Sequence, residues 1–106
     1  MIKLLIADDH QILLDGLKAI LDTVPEFEIV GTAGNGIQVM ELLKTIEADV
    51  LLLDLQMPLM DGLETTEKAT AKYPGLNVLM LTTNDEGSII TSMFKKGATG
   101  YLLKNS

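Results

Sequence analysis

Five short apolar runs, each followed by a polar or turn-forming stretch, constrain this chain more than any other feature. They are Ile2–Ala7, Glu28–Thr32, Val50–Asp54, Val78–Leu81 and Gly100–Leu103. Runs of about five apolar residues are short for helices and read as buried strands. The segments between them are longer and carry helical spacing. Leu13, Leu17, Ile20, Leu21 and Val24 form one stripe, and Ile37, Met40, Leu43 and Ile46 form a second. A thin third stripe holds Leu63, Thr66, Ala69 and Tyr73; the fourth, near Glu86–Lys96, holds Ile89, Ile90, Met93 and Phe94.

Turn chemistry separates the segments. Asn35-Gly36 precedes the second helix, Asp61 is placed to cap the third, and Tyr73-Pro74-Gly75 stops it. Lys95-Lys96-Gly97 reads as a helix end, with cations at the negative dipole end and a glycine for a left-handed residue. Strand–helix alternation predicts an α/β fold with a doubly wound, five-stranded parallel sheet and helices on both faces. At 106 residues the chain has room for one domain with one core.

In such sheets ligands bind beyond the carboxyl ends of the strands. Asp8 and Asp9 fall at the end of the first strand, Asp54 at the end of the third, Thr82 after the fourth and Lys104 after the fifth. Asp54 poses the sharpest problem, because it directly follows the apolar run of a buried strand and charges are seldom buried without partners. Converging carboxylates suit Mg²⁺, which takes oxygen ligands and keeps waters for an incoming phosphate. A lysine and a hydroxyl beside that cation complete a phosphoryl pocket, and an aspartate can accept the phosphoryl group as an acyl phosphate.

Composition excludes several alternatives. Fifteen acids stand against eight basic residues, a net charge of −7, which repels a nucleic-acid backbone. There is no cysteine, so disulfide and thiolate chemistry are absent, and no apolar run approaches a membrane span; a cytoplasmic location is the default. His10 is the single histidine and reads as a surface or edge residue at the start of the first helix, since nothing exists to complete a zinc site. The glycines of Gly31–Gly36 do not match a dinucleotide loop and read as a turn.

The segments "LLIADDH", "LLLDLQMPLMDGLE", "VLMLTT" and "KKGATGYLLK" together resemble the receiver domain of bacterial response regulators. "DDH" and "GATGYLLK" are most similar to regulators with a LuxR-type helix-turn-helix output domain. The resemblance runs from Ile2 to Lys104 and implies a flavodoxin-like sheet in the order 2-1-3-4-5. It implies Asp54 as phosphoacceptor, Asp9 as a direct Mg²⁺ ligand, Asp8 as a ligand through water, and the main-chain carbonyl of Gln56 as a further ligand. Thr82 is implied as the switch hydroxyl, Lys104 as the phosphate's partner, and Tyr101 as the aromatic that moves inward with Thr82. Pro58 and Gly62 are implied to shape the loop beyond Asp54. The implied partner is a sensor histidine kinase, with dimerisation on activation and DNA contacted only through an output domain not in this sequence.

Receivers continue into a fifth helix, whereas this sequence stops at Ser106; the expectation is an exposed apolar patch near Tyr101 and Leu103 and a tendency to self-associate. Lys104 is followed by Asn105 rather than proline, and Thr83 stands where a smaller residue is frequent. Gln56 and Asn84 occupy positions that tune the lifetime of the phosphate in receivers. The competing functions are an aspartate-nucleophile phosphatase, a pseudo-receiver that is never phosphorylated, and a flavin-binding protein of similar topology. Gln56 stands where the phosphatases place their general acid/base, and "ADDHQ" after the first strand repels a flavin phosphate.

Overall fold

The computed structural model describes residues 1–83 and 86–104. The expectations for Asn84, Asn105 and Ser106 lie outside the described residues. Five strands alternate with four helices: β1 (Ile2–Ala7), α1 (Gln11–Leu21), β2 (Phe27–Ala33), α2 (Gly36–Leu43), β3 (Val50–Asp54), α3 (Gly62–Lys72), β4 (Asn77–Thr82), α4 (Gly87–Lys95) and β5 (Gly100–Leu103). All pairings are parallel and the sheet order is β2-β1-β3-β4-β5. The flavodoxin-like architecture expected from the sequence is the one observed.

Connectivity decides which face each helix covers. The chain steps from β1 outward to β2, then reverses across β1 to β3 and continues to β4 and β5. Crossovers of one hand place a helix on opposite faces when the direction of travel reverses. The packing agrees. Val39 and Leu43 of α2, Ala69 of α3 and Met93 of α4 share one core with Leu5, Leu53, Val78 and Met80. Leu14 of α1 packs on the other face, against Ile6, Leu52 and Leu81.

Capping explains where the helices begin and end. The Asn35 side chain accepts the Gln38 N–H at 2.9 Å, and that of Asp61 accepts the Glu64 N–H at 2.9 Å. At the end of α4, Gly97 has φ +112° and the Ala98 N–H bonds back to Met93 O at 3.0 Å, closing the helix as the Lys-Lys-Gly pattern predicts.

The structure corrects two packing expectations. In α1 the buried residue is Leu14, while Ile20 is 65% exposed. In α2 Val39 is fully buried and Ile37 faces outward. Both helices carry apolar residues in two phases, and the sheet selects one. The exposed patch follows from the pairing of β5. Tyr101 pairs with Met80 and Leu103 with Thr82 on the face that carries α4, whereas Leu102 pairs with Leu81 on the face that carries α1. Leu103 is exposed as expected, at 44%, and Leu102, on the α1 face, is bared as well, at 51%.

Candidate phosphoryl-transfer site

The carboxyl edge of the sheet gathers the polar residues singled out above. Backbone bonds carry the ladder past the strand ends and hold each residue there. The Asp8 N–H bonds to Ala33 O at 3.0 Å, Leu55 N–H to Leu81 O at 2.9 Å, and Lys104 N–H to Thr82 O at 2.8 Å. Asp8, Asp54 and Thr82 are buried at 0%, 4% and 2% exposure. Asp9 is exposed, as is Gln56.

Lys104 ties the acids together. Its Nζ lies 2.9 Å from Asp8 Oδ2 and 3.3 Å from Asp54 Oδ1. The Gln56 N–H also points to Asp54 Oδ1, at 3.4 Å. His10 closes the other side. Its backbone N–H donates to Asp8 Oδ1 at 2.9 Å, and its ring Nδ1 lies 2.9 Å from Asp8 Oδ1 and 3.2 Å from Asp9 Oδ1. His10 is the N-cap of α1, and its side chain makes no cap bond.

The electrostatics follow from this packing. Burial pushes Asp8 up, but bonds from Lys104 and from the His10 backbone and ring outweigh it and hold Asp8 below its ordinary value of 3.8. Burial and the neighbouring Asp8 charge push Asp54 up, against the pull of Lys104. Burial alone lowers Lys104, yet its bond to Asp8 and the Asp54 charge leave it raised. The bond to Asp8 and the Asp9 charge raise His10.

A cavity of about 340 Å³ opens onto this cluster, lined by Asp9, His10, Asp54, Gln56, Thr82 and Lys104 among others. Ligating atoms of Asp8, Asp9, His10 and Asp54 all lie within 4.8 Å of one another. Three carboxylates gather here and Lys104 faces two of them, Asp8 and Asp54, which leaves an excess of negative charge suited to a divalent cation. This oxygen-rich set fits Mg²⁺, with Asp9 and Asp54 accessible from the cavity and Asp8 held behind them by Lys104.

The loop beyond Asp54 is shaped by close contacts. A Cβ on Gly62 would meet Asp54 O at 2.5 Å and both Leu55 Cα and Met80 Cε at 2.8 Å, so only glycine lets α3 begin this near the strand. The Gly62 N–H bonds to Leu55 O at 2.8 Å and fastens the helix start to that strand end. Before it, the Met60 N–H bonds to Pro58 O at 2.7 Å across Leu59, whose φ is +69°. This is a γ-turn of the rare positive-φ kind, which carries backbone strain beside the site. Pro58 and Gly62 were legible as loop-shaping positions; the strained residue between them was not.

Tyr101 sits outside the acidic cluster. It is half-buried on the α4 face, with its ring edge-on to Phe94 at 6.4 Å and 76°. His10 is exposed, as a surface residue is expected to be, yet its ring joins the two acids that precede it in sequence.

A doubly wound sheet whose carboxyl edge holds three acids, a buried threonine and a bridging lysine has the architecture of a signalling receiver domain. The response regulator receiver domain family matches residues 4–106, and the chain belongs to it. The chain is 42% identical over 103 residues to the transcriptional regulatory protein DegU of Brevibacillus brevis, covering 97% of this chain and 44% of that protein. The signal receiver domain of the response regulator NarL from Mycobacterium tuberculosis superposes with a TM-score of 0.93 at 32% identity, covering 99% of this chain and 85% of that one. RcsB from Salmonella enterica serovar Typhimurium, solved on promoter rprA with the phosphomimetic BeF₃⁻, gives 0.90 at 28% identity over 99% of this chain and 60% of that one. The chain spans about half the length of the curated relatives it matches. Among the described residues no helix is long and apolar enough to cross a membrane.

Proposed function

We propose that this chain is the phosphoacceptor switch of a two-component system, with Asp54 taking a phosphoryl group from the phosphohistidine of a sensor kinase. The observation that carries this reading is Asp54 itself, a carboxylate buried at a strand end, bridged to Asp8 by Lys104 and open to the acidic cavity. In the transfer an Asp54 oxygen attacks phosphorus, the P–N bond to the donor imidazole breaks, and the imidazole leaves. Mg²⁺, held by Asp9, Asp54, the Gln56 carbonyl and, through water, Asp8, would supply positive charge to the phosphoryl oxygens. Lys104 pairs with the phosphoryl oxygens, releasing part of its hold on Asp8. Thr82 is the switch hydroxyl, drawn toward the acyl phosphate.

The output is a population shift. Acyl phosphate at Asp54 interacts differently with two arrangements of Thr82, Tyr101 and α4, and so changes their ratio. Tyr101 and Phe94, edge to edge on that face, are the pair through which the shift reaches the surface. In the whole protein this controls transcription through a DNA-binding domain outside the present chain, in the cytoplasm, with self-association on activation. The length of the relatives and the promoter-bound RcsB structure support that reading. Residues 1–106 then constitute the receiver domain, which assists its own phosphorylation and dephosphorylation and turns over no other substrate.

Incubation with Mg²⁺ and a small acyl-phosphate donor, followed by intact mass measurement, tests the assignment. One labile phosphoryl gain in the wild type and none in Asp54→Asn supports it. No gain in folded, Mg²⁺-binding wild type points instead to a receiver-like interaction module.

A further inference from the structure

We propose that His10 is a nitrogen ligand of the cation site, so that the centre binds first-row transition dications through an imidazole that Mg²⁺ does not use. This rests on the reading of the acidic cluster as a dication site. His10 Nδ1 lies 2.9 Å from Asp8 Oδ1 and 3.2 Å from Asp9 Oδ1. Two ligands about 2.1 Å from a metal and at right angles are roughly 3.0 Å apart. The imidazole nitrogen therefore stands off Asp9 Oδ1, the expected direct ligand, by about the spacing of neighbouring ligands on one ion, while its contact with Asp8 is a hydrogen bond.

In the metal-free chain the ring Nδ1 is hydrogen-bonded to Asp8 Oδ1, so a dication would have to replace the shared proton. The ring belongs to the N-cap residue of α1 yet caps nothing, and its side chain is 68% exposed, so packing does not pin it. It nonetheless turns back onto the carboxylates and lines the cavity that holds Asp54 and Lys104. Imidazole is a favoured ligand of Ni²⁺ and Cu²⁺ and a poor one for Mg²⁺, which takes oxygen. His10 thus adds affinity for the transition ions selectively. Asp9 and His10, adjacent in sequence, act as the exposed pair that captures the ion, with Asp8 and Asp54 behind them.

The chain suits a clean test, because it has one histidine and no cysteine, leaving no second imidazole or thiolate to compete. Calorimetric titration of the tag-free chain with NiCl₂ and with MgCl₂ would compare wild type, His10→Ala and Asp9→Asn. The expected result is a loss of Ni²⁺ affinity of about tenfold or more in His10→Ala, with Mg²⁺ affinity kept within about twofold. Pulsed EPR of the Cu²⁺-loaded chain should show modulation from a directly bound imidazole, absent in His10→Ala. Equal changes for both metals, no change for either, or no nitrogen modulation in the wild type would overturn the proposal. If Asp9→Asn weakens both metals and His10→Ala neither, the cation site stands and the His10 assignment falls. If the wild type binds neither metal, both readings fall together.

Discussion

Two clefts open at opposite ends of the same sheet, and the smaller one holds the candidate site. At the amino end a cleft of about 590 Å³ lies among Leu43, Lys44, Asp49, Lys72, Tyr73 and Leu76. Its charges are ordinary surface groups. Lys44 pairs with Glu41 one helical turn away, Asp49 accepts the Lys3 backbone N–H, and Lys72 lies over the Tyr73 ring at 5.7 Å. At the carboxyl end the cavity is about 340 Å³, but Asp8, Asp54 and Thr82 are buried and joined through Lys104 and the strand ends. Volume does not mark the site; charge removed from water and held by a lysine does. Such charges cost stability unless paired, so their gathering at one edge supports the proposal that the functional site lies there.

Breaking the carboxyl end has the largest expected effect. Lys104→Ala removes the bridge between two buried acids and should destabilise the metal-free chain by about 2–4 kcal/mol in urea unfolding, because Asp8 and Asp54 are left facing each other. Mg²⁺ should restore part of that loss by mass action. Gly62→Ala forces a Cβ into the backbone of Asp54 and Leu55 and should cost about 1–3 kcal/mol, with slower uptake of phosphoryl from a small donor.

Asp54→Asn sharpens the contrast in the opposite sense. Asp54 is raised by burial, so its ionised form opposes folding above its folded value, and that cost disappears as the pH falls and it protonates. Without Mg²⁺, wild type should therefore gain stability relative to Asp54→Asn as the pH falls through the folded value of Asp54, read from urea midpoints. Asp8 behaves conversely. Its value is lowered, so its contribution is present above about 4 and is lost as the pH falls through its folded value. The smallest effect belongs to the amino end. Lys72→Ala should shift stability by less than about 0.5 kcal/mol and leave phosphoryl uptake unchanged.

The same contrast explains what was legible in the sequence. Strand ends are local events, so Asp8, Asp54, Thr82 and Lys104 could be placed from apolar runs and their polar terminators, and the fold brings them to one edge. Helix phase was less legible. In "QILLDGLKAIL" Ile12, Leu13, Leu14, Leu17, Ile20 and Leu21 satisfy more than one face, and only packing against Ile6 and Leu52 selects Leu14. Likewise Leu102 and Tyr101 alternate across β5, and the face each takes follows from its pairing with β4. His10 was read as a surface residue, which its exposure bears out, yet the turn of its ring onto Asp8 and Asp9 depends on the path of the chain after β1.

A ¹H–¹⁵N NMR titration of the chain with Mg²⁺, then with beryllofluoride as a phosphoryl mimic, tests the central claim most directly. The account predicts shifts at Asp9, Asp54, Gln56, Thr82 and Lys104, with Tyr101 following only when beryllofluoride is added, and Lys44–Asp49 and Lys72–Leu76 unmoved. Shifts centred on the amino-end cleft, or none at the carboxyl edge of a folded chain, would contradict it.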